Sequence, residues 1–264
     1  MRELLNLIRC EFWKLKRLKL IQITLVMALL FPIILTIYVF YKRSSFALLY
    51  RFVFLYGDLL FKPCILGILC VLLLSMEQRN DTFKNLRTIP ITRAQLFHTK
   101  MVLLLCLSVL YSLIEFLATA LGGLLLERQH GALAVYIYCS LMTGIMLFFD
   151  ILPLVLFFCL CRASSFFAVI LSLFYAIAGF LLVNSYASGM IASDGVIANL
   201  PRIVIFRWFL YVFDLERTAV SSGLSALPTV SAGLFLFCTG GAALLISAVL
   251  YHQKGDKDEW HDML

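Results

Sequence analysis

Charge is scarce in this sequence. Asp, Glu, Lys and Arg make up 14% of its 264 residues, against roughly a quarter in an ordinary soluble domain, while apolar residues reach 62%. Water is therefore not the main solvent of the folded chain. Catalytic motifs are missing too. No Gly-x-x-x-x-Gly-Lys-Ser/Thr stretch is present to cradle nucleotide phosphates, which excludes an ATPase site in this chain. His-Glu-x-x-His and Gly-x-Ser-x-Gly are also missing, and His98, His130, His252 and His261 fall in loops or the tail. The formal charge of +7 comes without an aromatic-interleaved basic patch or zinc-finger spacing, so nucleic acid is not an expected partner. There is no internal repeat and no long Gly/Ser- or Pro-rich linker, which leaves one membrane domain over residues 1–264. Cysteine is present, but Cys64, Cys70, Cys106, Cys139, Cys159 and Cys238 lie in apolar runs, where a thiol behaves as a small hydrophobe rather than as half of a disulfide framework. Cys159 and Cys161 have no second pair or flanking histidine, and zinc wants four ligands, so no metal site is expected.

What is abundant is apolar runs long enough to cross a hydrocarbon layer of about 30 Å. Residues 20–41, 52–75, 101–126, 133–161, 166–183 and 228–251 read as six transmembrane helices. The first run is too long for a signal peptide and lacks a small-x-small cleavage site, so it is expected to stay as a span. Before it, residues 1–19 place Leu4, Ile8, Phe12, Leu15 and Leu18 at helical spacing, with Arg9, Lys14, Lys16 and Arg17 among them, the pattern of an amphipathic interfacial helix. The irregular segment 184–227 is broken by Gly189, Asp194, Gly195 and Pro201 before the run 203–213. Eleven residues of helix cover only roughly 16 Å and Arg207 sits in the middle, so this run reads as a short outer-side helix, interfacial or re-entrant, before the last span. The expected fold class is all-α integral membrane.

Six spans return both termini to one side, and Lys and Arg choose that side because short cytoplasmic segments carry the excess. The N-terminal segment, the loop to Lys100, Arg162 and the tail hold fourteen, against seven in the alternate segments. Both termini are expected in the cytoplasm, with 184–227 extracellular.

The cytoplasmic loop 76–100 has well-specified local chemistry. Asn80 or Asp81 can cap a short helix that Pro90 discourages from continuing, so it should stop near Thr88. Thr92 and Gln95 then form a Thr-x-x-Gln capping box, with Ile91 and Leu96 in staple positions, and start the helix that enters the membrane. Phe83 and Leu86 share a face with Ile89 just beyond, ringed by Arg79, Lys84 and Arg87, which suggests a docking surface.

Glu77, Thr82, Asn85, Leu86, Pro90, Thr92, Arg93 and Lys100 together resemble the coupling region of ABC-2-type transporter permeases. That pattern has an acidic residue after the second span, then Thr-x-x-Asn-Leu, Pro-x-Ser/Thr-Arg and Lys. Glu11-Phe12-Trp13-Lys14-Leu15-Lys16 is similar to a run at the start of the small permeases of lantibiotic-immunity and bacitracin-resistance exporters, the group this sequence matches most closely. The resemblance implies an exporter subunit in a bacterial plasma membrane that works with a separate ABC ATPase, a second permease copy or paralogue, and membrane lipid. ATP and Mg would sit on the ATPase, with no cofactor in this chain, and the cargo would be a peptide antibiotic or another amphiphile or lipid. It also implies that Phe83 and Ile89 join the motif residues in ATPase coupling.

Four ionisable residues fall inside the expected spans: Asp58 and Lys62 at i, i+4 in the second, Glu115 in the third and Asp150 in the fourth. Such groups face protein or an aqueous cavity, so they read either as a substrate pathway or gate, or as pairing between helices. An intramembrane enzyme using Glu115, Asp150 or His98 and a non-transporting sensor or scaffold are the alternatives from other classes.

Overall fold

The computed structural model describes residues 2–16, 18–79, 93–126, 133–160, 165–190, 195–213 and 225–261, and among them every regular element is helical. Helix α1 (Arg2–Lys16) leads into α2 (Lys19–Tyr41). A tight turn with Arg43 at φ 50° follows, then α3 (Phe46–Phe52), a π-helical segment (Val53–Phe61) and α4 (Lys62–Arg79), which run on as one continuous rod. Beyond it come α5 (Arg93–Leu126), α6 (Leu133–Leu160), α7 (Ser165–Ala187), a 3-10 turn (Val196–Asn199), α8 (Pro201–Val212) and α9 (Thr229–His261). Six helices are long and apolar enough to cross a membrane, which gives the expected fold class.

The boundaries differ from the sequence reading in informative places. The second span starts at Phe46 rather than 52, because Phe46, Leu49 and Tyr50 face protein while Arg51 points away from it and does not end the helix. The third begins at Arg93 rather than 101, one residue after the cap expected at Thr92, which lies outside the described residues. At 34 residues α5 is about 51 Å long, so its N-terminal turns project beyond the hydrocarbon. The fifth runs four residues past 183 to Ala187, and the short helix expected before the last span covers Pro201–Val212.

Three spans form the inside and three the outside. Within their most apolar windows the α3-to-α4 rod, α5 and α6 are 61, 56 and 56% buried, whereas α2, α7 and α9 are each 22% buried. The outer three therefore give most of their surface to lipid, as Ile34 and Ile37 of α2, Phe174 of α7 and Leu245 of α9 do. Inside α2 the buried residues Ile21, Ala28, Pro32, Thr36 and Val39 make a single stripe at helical spacing, which faces α5 and the π segment. The described apolar interior falls into two large bodies and a small third one of Val39, Phe46, Leu49 and Val53. One large body, near α1, is built around Leu66, Leu69, Leu104, Leu107 and Ile151. The other, near α8, is built around Phe54, Leu59, Leu147, Val183, Trp208 and Phe209.

Lipid tails are as apolar as leucine, so burial alone does not hold membrane helices together, and close packing and interhelical hydrogen bonds take over. Helices α5 and α6 show both. The Ser108 hydroxyl donates to the Gly144 carbonyl at 2.6 Å. A Cβ at Gly144 would lie 2.9 Å from Val109 Cα and 2.8 Å from Ser112 Oγ, so only glycine lets these backbones meet. Changing Gly144 to Ala should lower the stability of the purified chain in detergent by about 1–3 kcal/mol through overpacking. A Cβ at Gly241 in α9 would meet nothing within 4 Å, so Gly241→Ala should be neutral or raise stability by up to about 1 kcal/mol. Thermal unfolding of the two variants side by side measures this, and equal melting temperatures would refute it.

Candidate functional site

The polar groups of the spans collect between the two large apolar bodies. Lys62 lies between Leu59 of one and Leu66 of the other, Glu115 between Tyr111 and Phe116, and Asp150 between Leu147 and Ile151. Together they form a polar layer across the middle of the bundle. It contains two separate clusters.

The first cluster grows out of the π segment. The Lys62 backbone N–H donates to the carbonyl of Gly57, five residues back, a winding that is rare and frequent at functional sites. Lys62 Nζ forms an ion pair with Asp58, lies 2.6 Å from Glu115 Oε2 on α5 and donates to Ser112 Oγ at 2.9 Å. Lys62, Glu115 and Asp58 are 1, 5 and 7% exposed, so the cluster is sealed from both water and lipid. The i, i+4 pair expected from the sequence is present, and Glu115 joins it from the next span. Thr119 donates to the Glu115 carbonyl at 2.6 Å, one turn further along α5.

The second cluster joins three helices through one guanidinium. Arg202, the second residue of α8, donates from Nε at 3.1 Å and from Nη2 at 2.6 Å to Asp150 Oδ2 on α6. Its Nη1 donates at 2.8 Å to the carbonyl of Ala176 on α7, and its Cζ lies 5.0 Å above the Tyr175 ring. The Tyr175 hydroxyl donates to the Asp150 carbonyl at 2.7 Å. A side chain on Gly179 would collide with Arg202, so that glycine makes the channel through which the guanidinium reaches α6. Five residues on, Arg207 is also buried and donates to the carbonyls of Ser225 and Ala198. Eight of the twelve residues of α8 are buried, so it is embedded among α6, α7 and α9 rather than lying on the surface.

Sequence reasoning reached Asp58, Lys62, Glu115 and Asp150, but not the way they divide. It missed Arg202 and Arg207 as site residues, because both read as cations of the outer side, Arg207 within the short helix and Arg202 just before it. The available signal was their five-residue spacing in an apolar run too short to span. His98, the third candidate for an intramembrane enzyme, is exposed on α5. It is 17 residues from Glu115 along that helix, about 25 Å away, so these groups form no catalytic constellation.

Of the expected coupling residues, Glu77 lies in the last turns of α4 and Arg93 opens α5. Thr82, Phe83, Asn85, Leu86, Ile89, Pro90 and Thr92 lie outside the described residues. The base of their loop is described. Lys100 on α5 is buried, and its Nζ donates at 2.6 Å to the Leu73 carbonyl on α4, tying together the two helices from which the loop emerges.

Removing one partner of a buried ion pair leaves the other charge uncompensated, at about 3–5 kcal/mol. Arg202→Met should lower stability by that amount, while the double change Asp150→Leu with Arg202→Met should recover most of it. Thermal unfolding in detergent tests this, and a double variant no more stable than Arg202→Met would show that the pair is not the anchor of α8.

A search of curated proteins returns no match. The family described as ABC-2 family transporter protein matches residues 7–179, a stretch that runs from α1 through the 76–100 loop to α7 and takes in Asp58, Lys62, Glu115 and Asp150. With well over half of its length matched and six membrane-spanning helices, this chain belongs to the ABC-2 family of transporter proteins.

Proposed function

We propose that this chain is the permease of a bacterial exporter that carries amphipathic peptide antibiotics, of the lantibiotic kind, out of the plasma membrane or the cell, and so confers immunity or resistance. Membership of the ABC-2 family makes it a membrane transport subunit, and permeases of that family work with an ABC ATPase. The observation that carries the reading is the family match running unbroken across the 76–100 loop. In this reading the apolar face of Phe83, Leu86 and Ile89 docks on the ATPase, where ATP and Mg are bound. The Lys100 contact to Leu73 then holds α4 and α5 together, so that a push on the loop moves both spans.

The peptide cargo is supported by the resemblance of residues 11–16 and of the loop to permeases of immunity and resistance exporters, and the family match itself stops short of that subfamily. The polar clusters of a single chain are sealed by its own side chains. We therefore place the cargo path between two permease copies, where the lipid-facing surfaces of the outer helices offer apolar area to an amphiphile.

Both termini are assigned to the cytoplasm, on the asymmetry of fourteen Lys and Arg against seven. Burial of Arg202 and Arg207 in α8 leaves the solvated outer loops poorer still in cations, which supports the same orientation. In a cysteine-free background, a membrane-impermeant thiol reagent added outside should label a cysteine placed at Ser193 and spare one placed at Gln95. The reverse pattern would invert the topology.

Co-expression with its ATPase should raise the tolerance of cells to cationic, cell-wall-targeting peptides. Changing Phe83 and Leu86 together to Ala removes most of the docking face, and at about 25 cal/mol per Å² of lost burial a weakening of a few kcal/mol is expected. The double variant should reach the membrane at normal levels, retain less ATPase on co-purification and lose the added tolerance. Thr92→Ala should act more weakly, at about 1 kcal/mol, through loss of a helix cap. Normal ATPase binding and tolerance in the double variant would remove the loop from the coupling path, and unchanged tolerance to a broad peptide panel by an assembled, ATP-hydrolysing complex would rule out the cargo.

A further inference from the structure

The two buried clusters differ in their charge balance. Asp150 and Arg202 meet one to one. In the other cluster two carboxyls, Asp58 and Glu115, surround the single ammonium of Lys62. Among the described residues, the remaining polar neighbours bring no positive charge. Ser112 on α5 offers Lys62 a neutral hydroxyl, and the further ionisable groups within electrostatic reach of Asp58 are the Tyr50 phenol of α3 and the Cys139 thiol of α6. Tyr50 is itself bonded to Ser140 at 3.1 Å. From α2 the neighbour is Phe31, which lies against Gly57 beside Glu115, and from α7 it is Phe180, which packs on Tyr56. The cluster thus carries one negative charge more than it can neutralise, inside a bundle where an unpaired charge costs several kcal/mol.

A second observation points the same way. Glu115 lies within hydrogen-bond reach of Asp58 as well as of Lys62, so the two carboxyls face each other with the single ammonium beside them. A metal cation has little room, because Glu115 Oε1 and the Phe31 ring crowd the same spot, 3.2 and 3.3 Å from the position a Cβ would take on Gly57. A proton supplies the missing charge and needs no added volume.

We propose that Asp58 and Glu115 form a one-proton site, in which the carboxyl pair shares a single proton beside Lys62 while α5 is closed against the π segment. The proton passes to water when those two elements part during transport, a second step that rests on the exporter reading above. The atoms balance simply. Closing takes one proton from water onto a carboxylate oxygen, and opening returns it, with no other bond made or broken.

Infrared spectra of the purified chain at neutral pH, recorded in ordinary and heavy water, test the site without any partner. The wild type should show the deuterium-sensitive C=O band of a buried protonated carboxyl. Glu115→Gln and Asp58→Asn each leave one carboxylate against one ammonium, so either variant should lose the band. Lys62→Met leaves two carboxyls and no cation, and its band should grow about twofold by the same charge count. Lack of the band in the wild type, or its survival in both Glu115→Gln and Asp58→Asn, overturns the proposal. If one variant fails to fold, the other and the wild type still decide. For the exchange step, trapping the assembled complex with ATP and vanadate in weak buffer should transfer about one proton per permease to or from a pH dye beyond the protons that ATP hydrolysis itself releases, and Glu115→Gln should show only the latter. Hydrolysis with no such difference between wild type and Glu115→Gln overturns the exchange alone, whereas a chain that shows the band and binds no ATPase overturns the exporter reading and upholds the site.

Discussion

A charged side chain placed at the depth of a lipid bilayer must be met by protein, and much of this bundle's arrangement follows from that requirement. Lys62 needs carboxylates, and it holds the π segment, α4 and α5 in one contact. Asp150 needs a cation, and it draws Arg202 and therefore α8 in between α6 and α7. Helix α6 is central because it carries Asp150 and also the Gly144 surface on which α5 rests. The remaining spans, α2, α7 and α9, lie outside and give most of their surface to lipid, with α7 meeting the second cluster through Tyr175 and Ala176.

This division separates specificity from adhesion. Between apolar helices in lipid many rotations have similar energy, since a leucine is equally content against another leucine or an acyl chain. A guanidinium with its partner carboxylate and carbonyls tolerates far fewer. The layer of ion pairs between the two large apolar bodies therefore fixes register and rotation, while close packing at small residues supplies contact. Ser108 on Gly144 and Thr24 on Tyr111, the latter at 2.5 Å, are uncharged examples of the same rule nearer the α1 end.

The fold class was plain in the sequence because six apolar runs of span length, in a chain this poor in charge, leave no room for a water-facing surface. The Asp58–Lys62 pair was legible for a more local reason, since both residues lie on one helix at a spacing that brings them together. Glu115 was recognisable as an intramembrane charge, but its partner depends on how α5 packs against the rod, which no local pattern encodes. Arg202 is 52 residues from Asp150 and sits beside a proline, just before the run read as a short helix, so no local cue pointed to a carboxylate partner. The π winding of 53–61 left no signature, because a segment whose one charged residue is Asp58 has no polar stripe whose period would reveal a change of pitch. Lys100 shows the converse error: a cation assumed to end a span is buried on a backbone carbonyl, within the helix expected to start at the Thr92 cap and beginning at Arg93.

Helix α8 raises a question of biogenesis. Its twelve residues reach about 18 Å and include two guanidiniums, so it is neither long nor apolar enough to be released into lipid as a span of its own. Its binding place is made by Asp150, Tyr175 and Ala176, residues of the fourth and fifth spans. Those spans must already stand side by side before the segment can settle. The N-terminal end of α9 then closes over it, with Trp208 Nε1 donating to Thr229 at 3.1 Å. Synthesis order and assembly order coincide here: the chain emerges from the ribosome with the receptor for α8 first, α8 next, and the helix that locks it in place last.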